Sequence, residues 1–548
     1  MLKNLPAALI VIALAILTGL AWYWPNRPID PPGAVPGEKF ESLSYAPFRP
    51  GENPLTNSFG TAAEVESDLT LLAKQTNAVR TYASVEGDYD VAPLARKHGL
   101  KVWQGLWLGA DRARNEREIA RGIAQANAYP DTITRLVVGN EVLLRRDLPV
   151  AELIADIERV RAAVKQPVAY ADVWEFWKQF PEVANHVDIM LIHLLPYWED
   201  VPTSADDAVA HVGAVYKEMK ALFPGKTIGI GETGWPSRGR QREGAVPGLV
   251  EETKFLRQFL SLSRAEHFDY NFIEAFDQDW KYATEGMVGA SWGIFTSART
   301  LKIPLSGPVS EDPAWPWHAG LAITAGLGLT ALGLAGARVR FASTRKRLQI
   351  GVCGMLLGAA WGYAAADTDG TFLDLRTDLS AIANLIGQAV LACLLMLRLA
   401  DVLTPMPWRR GAAATRVLRD MIMRREPPEM RGLLEDFCFL YAWIAALMQI
   451  LLVFGARYRE FPLPTFAVPL VVVCARAFLG DLRRGDGRRE EFLLAGVLVA
   501  GAAASLIEEG YQNLQSIEWN IAVLVLAAPL VLRCLPGKKA QGPAFDVA

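Results

Sequence analysis

Two stretches of this 548-residue chain run apolar and then stop at a glutamate: VVGNE, ending at Glu141, and IGIGE, ending at Glu232. A carboxylate at the end of a strand commonly forms an ion pair or caps the helix that follows. A pair of carboxyls held about 5–5.5 Å apart has a further use, because glycosidic cleavage with retention needs one as proton donor and one as nucleophile. The two groups start with similar intrinsic pKa values, so their surroundings must separate the roles. One has to hold its proton near neutral pH while the other attacks as an anion. Asn140, adjacent to Glu141, is placed to bind a sugar hydroxyl.

The elements that must position these residues are short and regular. Eight strand-like runs follow one another: SLSYA (42–46), AVRTY (78–82), KVWQGLWL (101–108), RLVVGNE (135–141), PVAYADV (167–173), VDIMLIHLL (187–195), KTIGIGE (226–232) and YNFIEAF (270–276). Amphipathic stretches at 61–75, 114–128, 150–165, 204–222 and 248–267 lie between them; in 150–165, Val150, Leu153, Ile154, Ile157, Val160 and Val164 recur at helical spacing. This alternation predicts an α/β fold, a (β/α)8 TIM barrel over 38–312. An open doubly wound sheet gives a similar pattern, but no glycine-rich phosphate loop follows the first run. Barrel enzymes carry their chemistry at the carboxyl ends of the strands, and the two glutamates end runs four and seven.

The flanks of those glutamates carry a resemblance. VVGNEVL (137–143) and GETGWPS (231–237) resemble the acid/base and nucleophile motifs of glycoside hydrolase family 17, the β-1,3-glucanase family. SYAPF (44–48), VRTYAS (79–84), LPYWE (195–199), EAFDQDWK (274–281) and ASWGIF (290–295) match in the same order. The resemblance implies a retaining enzyme with Glu141 as acid/base and Glu232 as nucleophile, on strands four and seven. It further implies that Tyr197 meets the nucleophile and substrate, that Asp277, Trp280 and Lys281 bind substrate after strand eight, and that Tyr45 and Arg80 line the same mouth. Trp235 and Trp292 would offer flat faces to pyranose rings, or else pack into the barrel rim. Gln278 departs from the family's FDE version of its motif, which bears on subsite charge.

Outside the barrel the chain changes solvent. The hydrophobic share of 51% is near the top of the globular range. It is concentrated in residues 1–24 and 315–535. The net charge of −3 gives no reason to expect nucleic acid as a partner. All five cysteines fall in the apolar second half, no Cys-X-X-Cys pair occurs, and the six histidines are scattered, so neither a metal nor another cofactor is expected.

Leu5 to Trp24 is long enough to span a bilayer and closes on Trp22, Tyr23 and Trp24. It ends in bulky aromatics rather than small residues, which favours a retained anchor over a cleaved signal peptide. Seven further spans are expected at 317–337, 348–366, 379–400, 436–456, 464–480, 491–507 and 519–534, with 464–480 the weakest. Alternate connections are basic: Arg338, Arg340, Arg345, Lys346 and Arg347; seven arginines over Arg409–Arg431; and four over Arg483–Arg489. The positive-inside rule then puts both termini in the cytoplasm and the barrel outside it. Arg398, Arg476 and Arg533 fall near the cytoplasmic ends, where they can snorkel to headgroups.

The expected organisation is an anchor (1–24), a Pro-rich linker (25–37), an extracytoplasmic barrel (38–312), a membrane domain of about seven helices (315–535) and a cytoplasmic tail (536–548). This architecture resembles bacterial membrane proteins described as β-(1→6)-glucan synthases, which implies an inner-membrane protein facing the periplasm. The longest cytoplasmic connection, about 401–435, is too short for a nucleotide-sugar glycosyltransferase. The expected activity is therefore transglycosylation of a β-1,3-glucan made elsewhere, elongating or β-1,6-branching it. The expected partners are the β-glucan, the lipid bilayer and a membrane glucan synthase. Tethered hydrolysis and non-catalytic glucan binding or export assembly are the alternatives.

Overall fold

The computed structural model describes residues 5–33, 36–336, 343–368, 375–402, 433–480 and 489–535. It divides into two compact units, Pro28–Glu311 and Met1–Arg27 with Asp312–Ala548.

In the first unit eight parallel strands close into a barrel in chain order: β1 (Phe40–Ser44), β2 (Thr76–Arg80), β3 (Lys101–Leu106), β4 (Ile133–Asn140), β5 (Val168–Val173), β6 (Ile189–Leu194), β7 (Thr227–Thr233) and β8 (Tyr270–Phe272). Pairing of Leu43 with Phe272 completes the ring. Helices at Ala62–Leu72, Arg112–Ala128, Val150–Ala163, Ala208–Leu222 and Leu249–Glu266 fall in the five expected amphipathic stretches.

Each strand is apolar on both faces because both are buried. One set of side chains, including Val138, Val168, Tyr170, Met190, Ile192 and Ile230, belongs to the large core cluster that also takes in helix residues such as Ile119, Leu153 and Ile157. The alternate set forms a separate cluster of Ala78, Trp103, Val137, Ala169, Ala171, Ile189 and Leu191, as a two-residue period requires. Towards the carboxyl ends the register slips between Val137 and Asn140, between Ile192 and His193, and between Ile230 and Thr233. Bulges of this kind re-aim side chains, and they fall beside the strand ends that carry the candidate residues.

The second unit is helical. Among the described residues, seven of its helices are long and apolar enough to cross a membrane: Pro6–Tyr23, Trp315–Ala335, Thr344–Thr368, Arg376–Leu399, Leu433–Phe454, Arg489–Glu509 and Leu514–Cys534. The segment expected at 464–480 is a shorter apolar helix, Pro464–Phe478. Arg476 and Arg533 depart from the snorkelling expectation. Both are buried, Arg476 lying 3.8 Å from Glu435 and Arg533 donating to Glu491. A carboxylate from a neighbouring helix supplies each with a counter-charge, so neither has to reach the headgroups. Of the basic connections, Arg338, Arg340, Arg409–Arg431 and Arg483, Arg484 and Arg488 lie outside the described residues, as does the tail at 536–548.

Candidate active site

Glu232 sits on β7 with its side chain almost wholly buried. Arg80, the last residue of β2 and itself buried, donates from Nη1 to Glu232 Oε1 at 2.8 Å and to the Gly231 carbonyl at 2.8 Å. Its Nη2 donates to Asn140 Oδ1 at 2.5 Å. One guanidinium therefore ties the ends of β2, β4 and β7 together, and its fixed fork suits a carboxylate and an amide oxygen at once. With Oδ1 so engaged, the Asn140 amide nitrogen is left to donate elsewhere.

Glu141 follows directly after β4 on unusual backbone. Gly139 has φ +88°, and a Cβ there would lie 2.8 Å from Val142 Cγ2. Glu141 itself has φ +53°. A non-glycine residue in the left-handed region costs about 1–2 kcal/mol, and such conformations gather at functional sites. Its N–H is satisfied by the Ala171 carbonyl at 2.8 Å. Arg145 braces the same turn, donating to the Asn140 and Leu108 carbonyls and to Asp147. The Glu141 side chain keeps 23% exposure against 6% for Glu232, so the two carboxyls occupy different environments.

Between them stands His193, the next residue after Ile189 and Leu191 on one face of β6. It is fully buried. Nδ1 lies 2.9 Å from Glu141 Oε1 and 3.8 Å from Glu232 Oε2. Nε2 has no partner. Gly231 makes room for the ring, since a Cβ there would sit 2.8 Å from His193 Cδ2 and 3.0 Å from Leu191 Cβ.

One ligand atom from each of Glu141, His193 and Glu232 lies within 4.8 Å of the others, close enough for an ion. The cationic place on Glu232 is taken by Arg80, however, and Nδ1 is engaged with Glu141. The set reads as a hydrogen-bonded acid–base constellation. Burial pushes the Glu141 carboxyl up, but the hydrogen bond from His193 and the positive field of His193, Arg145 and Arg80 outweigh it. The net result lies below the ordinary carboxylate value. Behind them, burial raises Asp172 to about 6, while the Tyr170 hydroxyl and His193 draw it down and the Glu141 charge adds to the rise.

Several expected residues are placed otherwise. Tyr45 is fully buried with its hydroxyl 3.3 Å from Asp68, so it belongs to the wall behind the mouth. The Tyr197 hydroxyl donates to the Arg240 carbonyl, and its ring stands edge-on to Trp198, Trp235 and Trp292. The strand-six group that bridges the glutamates is His193. Trp235 and Trp292 are buried, Trp235 donating to the Val246 carbonyl. They pack the rim and present no open face to a sugar. The half-buried Trp198, stacked on Trp292, and the half-buried Trp280 keep that option. Asp277 is held by Lys302 and the Gly293 N–H, each at 2.8 Å. Lys281 donates to Glu274. Gln278 is buried, donating to Ala46 and Phe276 carbonyls and accepting from Trp280 Nε1.

Three residues that matter were not singled out from sequence. His193 reads as one polar interruption in an apolar run, and only the parity shared with Ile189 and Leu191 points inward. Tyr82 faces the site, its hydroxyl pushed well above the usual range by burial and then by the Glu232 charge. Glu274, buried and paired with Lys281, is raised to about 7, mainly by burial.

A parallel barrel with two facing strand-end carboxyls, one clamped by arginine and one by histidine, is the build of a barrel glycosidase. The sequence profile of the BtgE/BtgC glycoside hydrolase domain matches residues 42–293. The glucan 1,3-beta-glucosidase of Schizosaccharomyces pombe is 30% identical over 257 residues, covering 44% of this chain and 79% of that protein. That of Saccharomyces cerevisiae is 26% identical over 266 residues, covering 44% and 85%. Among solved structures, the family 17 β-1,3-glucanosyltransferase of Rhizomucor miehei is 27% identical with a TM-score of 0.43, covering 49% of this chain and 98% of that one. The chain belongs to the glycoside hydrolase family 17-like group that these relatives represent.

Proposed function

We propose that this protein is a membrane-anchored, retaining β-1,3-glucan transglycosylase working by double displacement. The carrying observation is the separation of the two carboxyls: an oxygen of Glu141 and one of Glu232 lie within 4.8 Å. So close an approach supports retention, because the carboxyls of an inverting pair stand about 6.5–9.5 Å apart to admit water. The names of the relatives, glucan 1,3-beta-glucosidase and β-1,3-glucanosyltransferase, support β-1,3-glucan as the substrate.

In the first half-reaction a Glu232 oxygen attacks the anomeric carbon while Glu141 protonates the departing glycosidic oxygen. Arg80 holds Glu232 through Oε1, which leaves Oε2 to attack, and the amide nitrogen of Asn140 is available to a sugar hydroxyl. In the second half-reaction Glu141 takes the proton from an incoming hydroxyl, whose oxygen displaces Glu232. A sugar hydroxyl gives a longer or β-1,6-branched chain; water gives hydrolysis by the same residues. Trp280 and Lys281 border the cleft on this reading, with Tyr82 and Glu274 beside them.

The anchor at 1–24, linker at 25–37, barrel at 38–312, membrane domain at 315–535 and tail at 536–548 would hold the barrel on the periplasmic side of a bacterial inner membrane, beside a membrane glucan synthase. The apolar helices support the membrane part, and the basic connections support the orientation.

The test is product analysis of the full chain in detergent with β-1,3-gluco-oligosaccharides, beside Glu232→Gln. We expect longer or branched products, and a loss of at least about 10⁴-fold in the variant. Only shortened products would make it a tethered hydrolase. Folded protein that binds the sugars without turnover would make it a binding or assembly protein.

A further inference from the structure

We infer that His193 is a positioning residue that decides which oxygen of Glu141 carries the catalytic proton, Oε1 being held by the imidazole and Oε2 doing the proton transfer. The inference rests on the assignment of Glu141 and Glu232 proposed above and goes one step beyond it.

The tautomer follows from the hydrogen-bond network. Nε2 is buried without a partner among the described residues, so a proton there would be a stranded donor. A proton on Nδ1 meets Glu141 Oε1 at 2.9 Å. Nδ1 therefore carries the proton that faces Glu141. With Oε1 accepting from His193, the proton of the acid form of Glu141 has to reside on Oε2. That oxygen has no protein partner among the described residues, and the side chain as a whole stays open to solvent. In the first half-reaction the Oε2–H bond breaks and the proton passes to the leaving oxygen. In the second, the acceptor's proton returns to Oε2. The imidazole gains and loses nothing in either step.

Such a fixed donor also biases the cycle. It favours the carboxylate form of Glu141, which the second half-reaction uses as base. The other charged groups facing this point are Glu232 on β7, Arg80 on β2, Asp172 on β5 and Arg145 after β4. Arg80 and Arg145 act in the same direction as His193, while burial and Asp172 oppose it. Removing the imidazole donor therefore leaves burial with more weight, and the acid limit of Glu141 moves to higher pH.

The experiment is the pH dependence of kcat/KM and kcat for the full chain in detergent, with a β-1,3-gluco-oligosaccharide as probe. It compares the native protein with His193→Asn, His193→Gln and His193→Ala. Asparagine can place an amide N–H where Nδ1 was; glutamine places it towards Nε2. We expect the alkaline limb to rise by about one pH unit in the Gln and Ala variants, with kcat falling more than KM changes. The Asn variant should return the limb towards its native position. An alkaline limb that stays put in folded Gln or Ala variants overturns the inference, as does an Asn variant that behaves like Ala. If Ala does not fold, the Asn–Gln contrast decides alone. Undiminished turnover in Glu141→Gln would be a different failure, removing the acid/base assignment itself.

Discussion

The barrel and the helical unit both bury polar side chains, and they use them differently. In the barrel, charge is drawn to the strand ends: Arg80 on Glu232, His193 on Glu141 and Lys281 on Glu274. Several of these groups still have an atom without a partner among the described residues, including His193 Nε2, Glu274 Oε2 and Arg80 Nε. In the helical unit, much of the buried polarity consists of amides and hydroxyls bonded to one another. Trp519 donates to Gln449 Oε1 at 2.6 Å, Asn520 donates to Ser505 and Ser516, and Gln388 donates to the Pro464 carbonyl while accepting from the Val468 N–H. Polar pairs of this sort join helices in an apolar solvent. Gln449 Nε2 and Asn520 Oδ1 are left over in the same way among the described residues, and the helices also hold the ion pairs of Arg476 and Arg533. The contrast is therefore one of degree: charge converges on one set of strand ends in the barrel and is scattered among amide and hydroxyl bonds in the helices.

That contrast can be broken most forcefully at Arg80. Arg80→Met leaves Glu232 buried and uncompensated, so we expect about 3–5 kcal/mol of lost stability, together with loss of turnover. Thermal unfolding and product formation measure the two. An unchanged melting temperature would mean that the strand ends tolerate an unpaired carboxylate, and the distinction would fail. A smaller effect sharpens the reading of the cleft. Trp280→Ala should raise KM for β-1,3-gluco-oligosaccharides by roughly 2–10-fold, the size of an aromatic contact of about 0.5–1.5 kcal/mol. An unaltered KM would remove Trp280 from the sugar path. The smallest effect belongs to the helical unit. Gln449→Leu gives up the bond to Trp519, and a helix–helix hydrogen bond of this sort is worth about 0.6 kcal/mol, so kcat should not change. A marked fall in kcat would show that the helices take part in the reaction.

The features legible in the sequence are those set by local pattern. All eight apolar runs are strands, because a run of four to eight apolar residues between turn signals suits a strand buried on both faces. The shortest, Tyr270–Phe272, stops four residues before the end of its run at 276. The glutamates could be seen because they terminate such runs. Features that depend on which distant residue stands opposite were not visible. Arg80 and Glu232 are 152 positions apart, and nothing near Arg80 says that its partner is the end of β7. The family resemblance puts Tyr45 at the mouth, whereas its hydroxyl turns back to Asp68. Trp235 illustrates the same limit: an indole serves equally well as a sugar platform or as packing, and only the Val246 carbonyl beside its nitrogen decides.

The glycine at 231 carries a constraint on how this sequence can vary. Its missing methyl is the space in which the His193 ring lies, so positions 193 and 231 share one fixed volume although they are 38 residues apart. A lineage that acquires alanine at 231 has to accept a smaller residue at 193, and with it a different hold on Glu141. The two substitutions should therefore be inherited together, with the glycine on β7 recording the identity of the residue that stands beside Glu141.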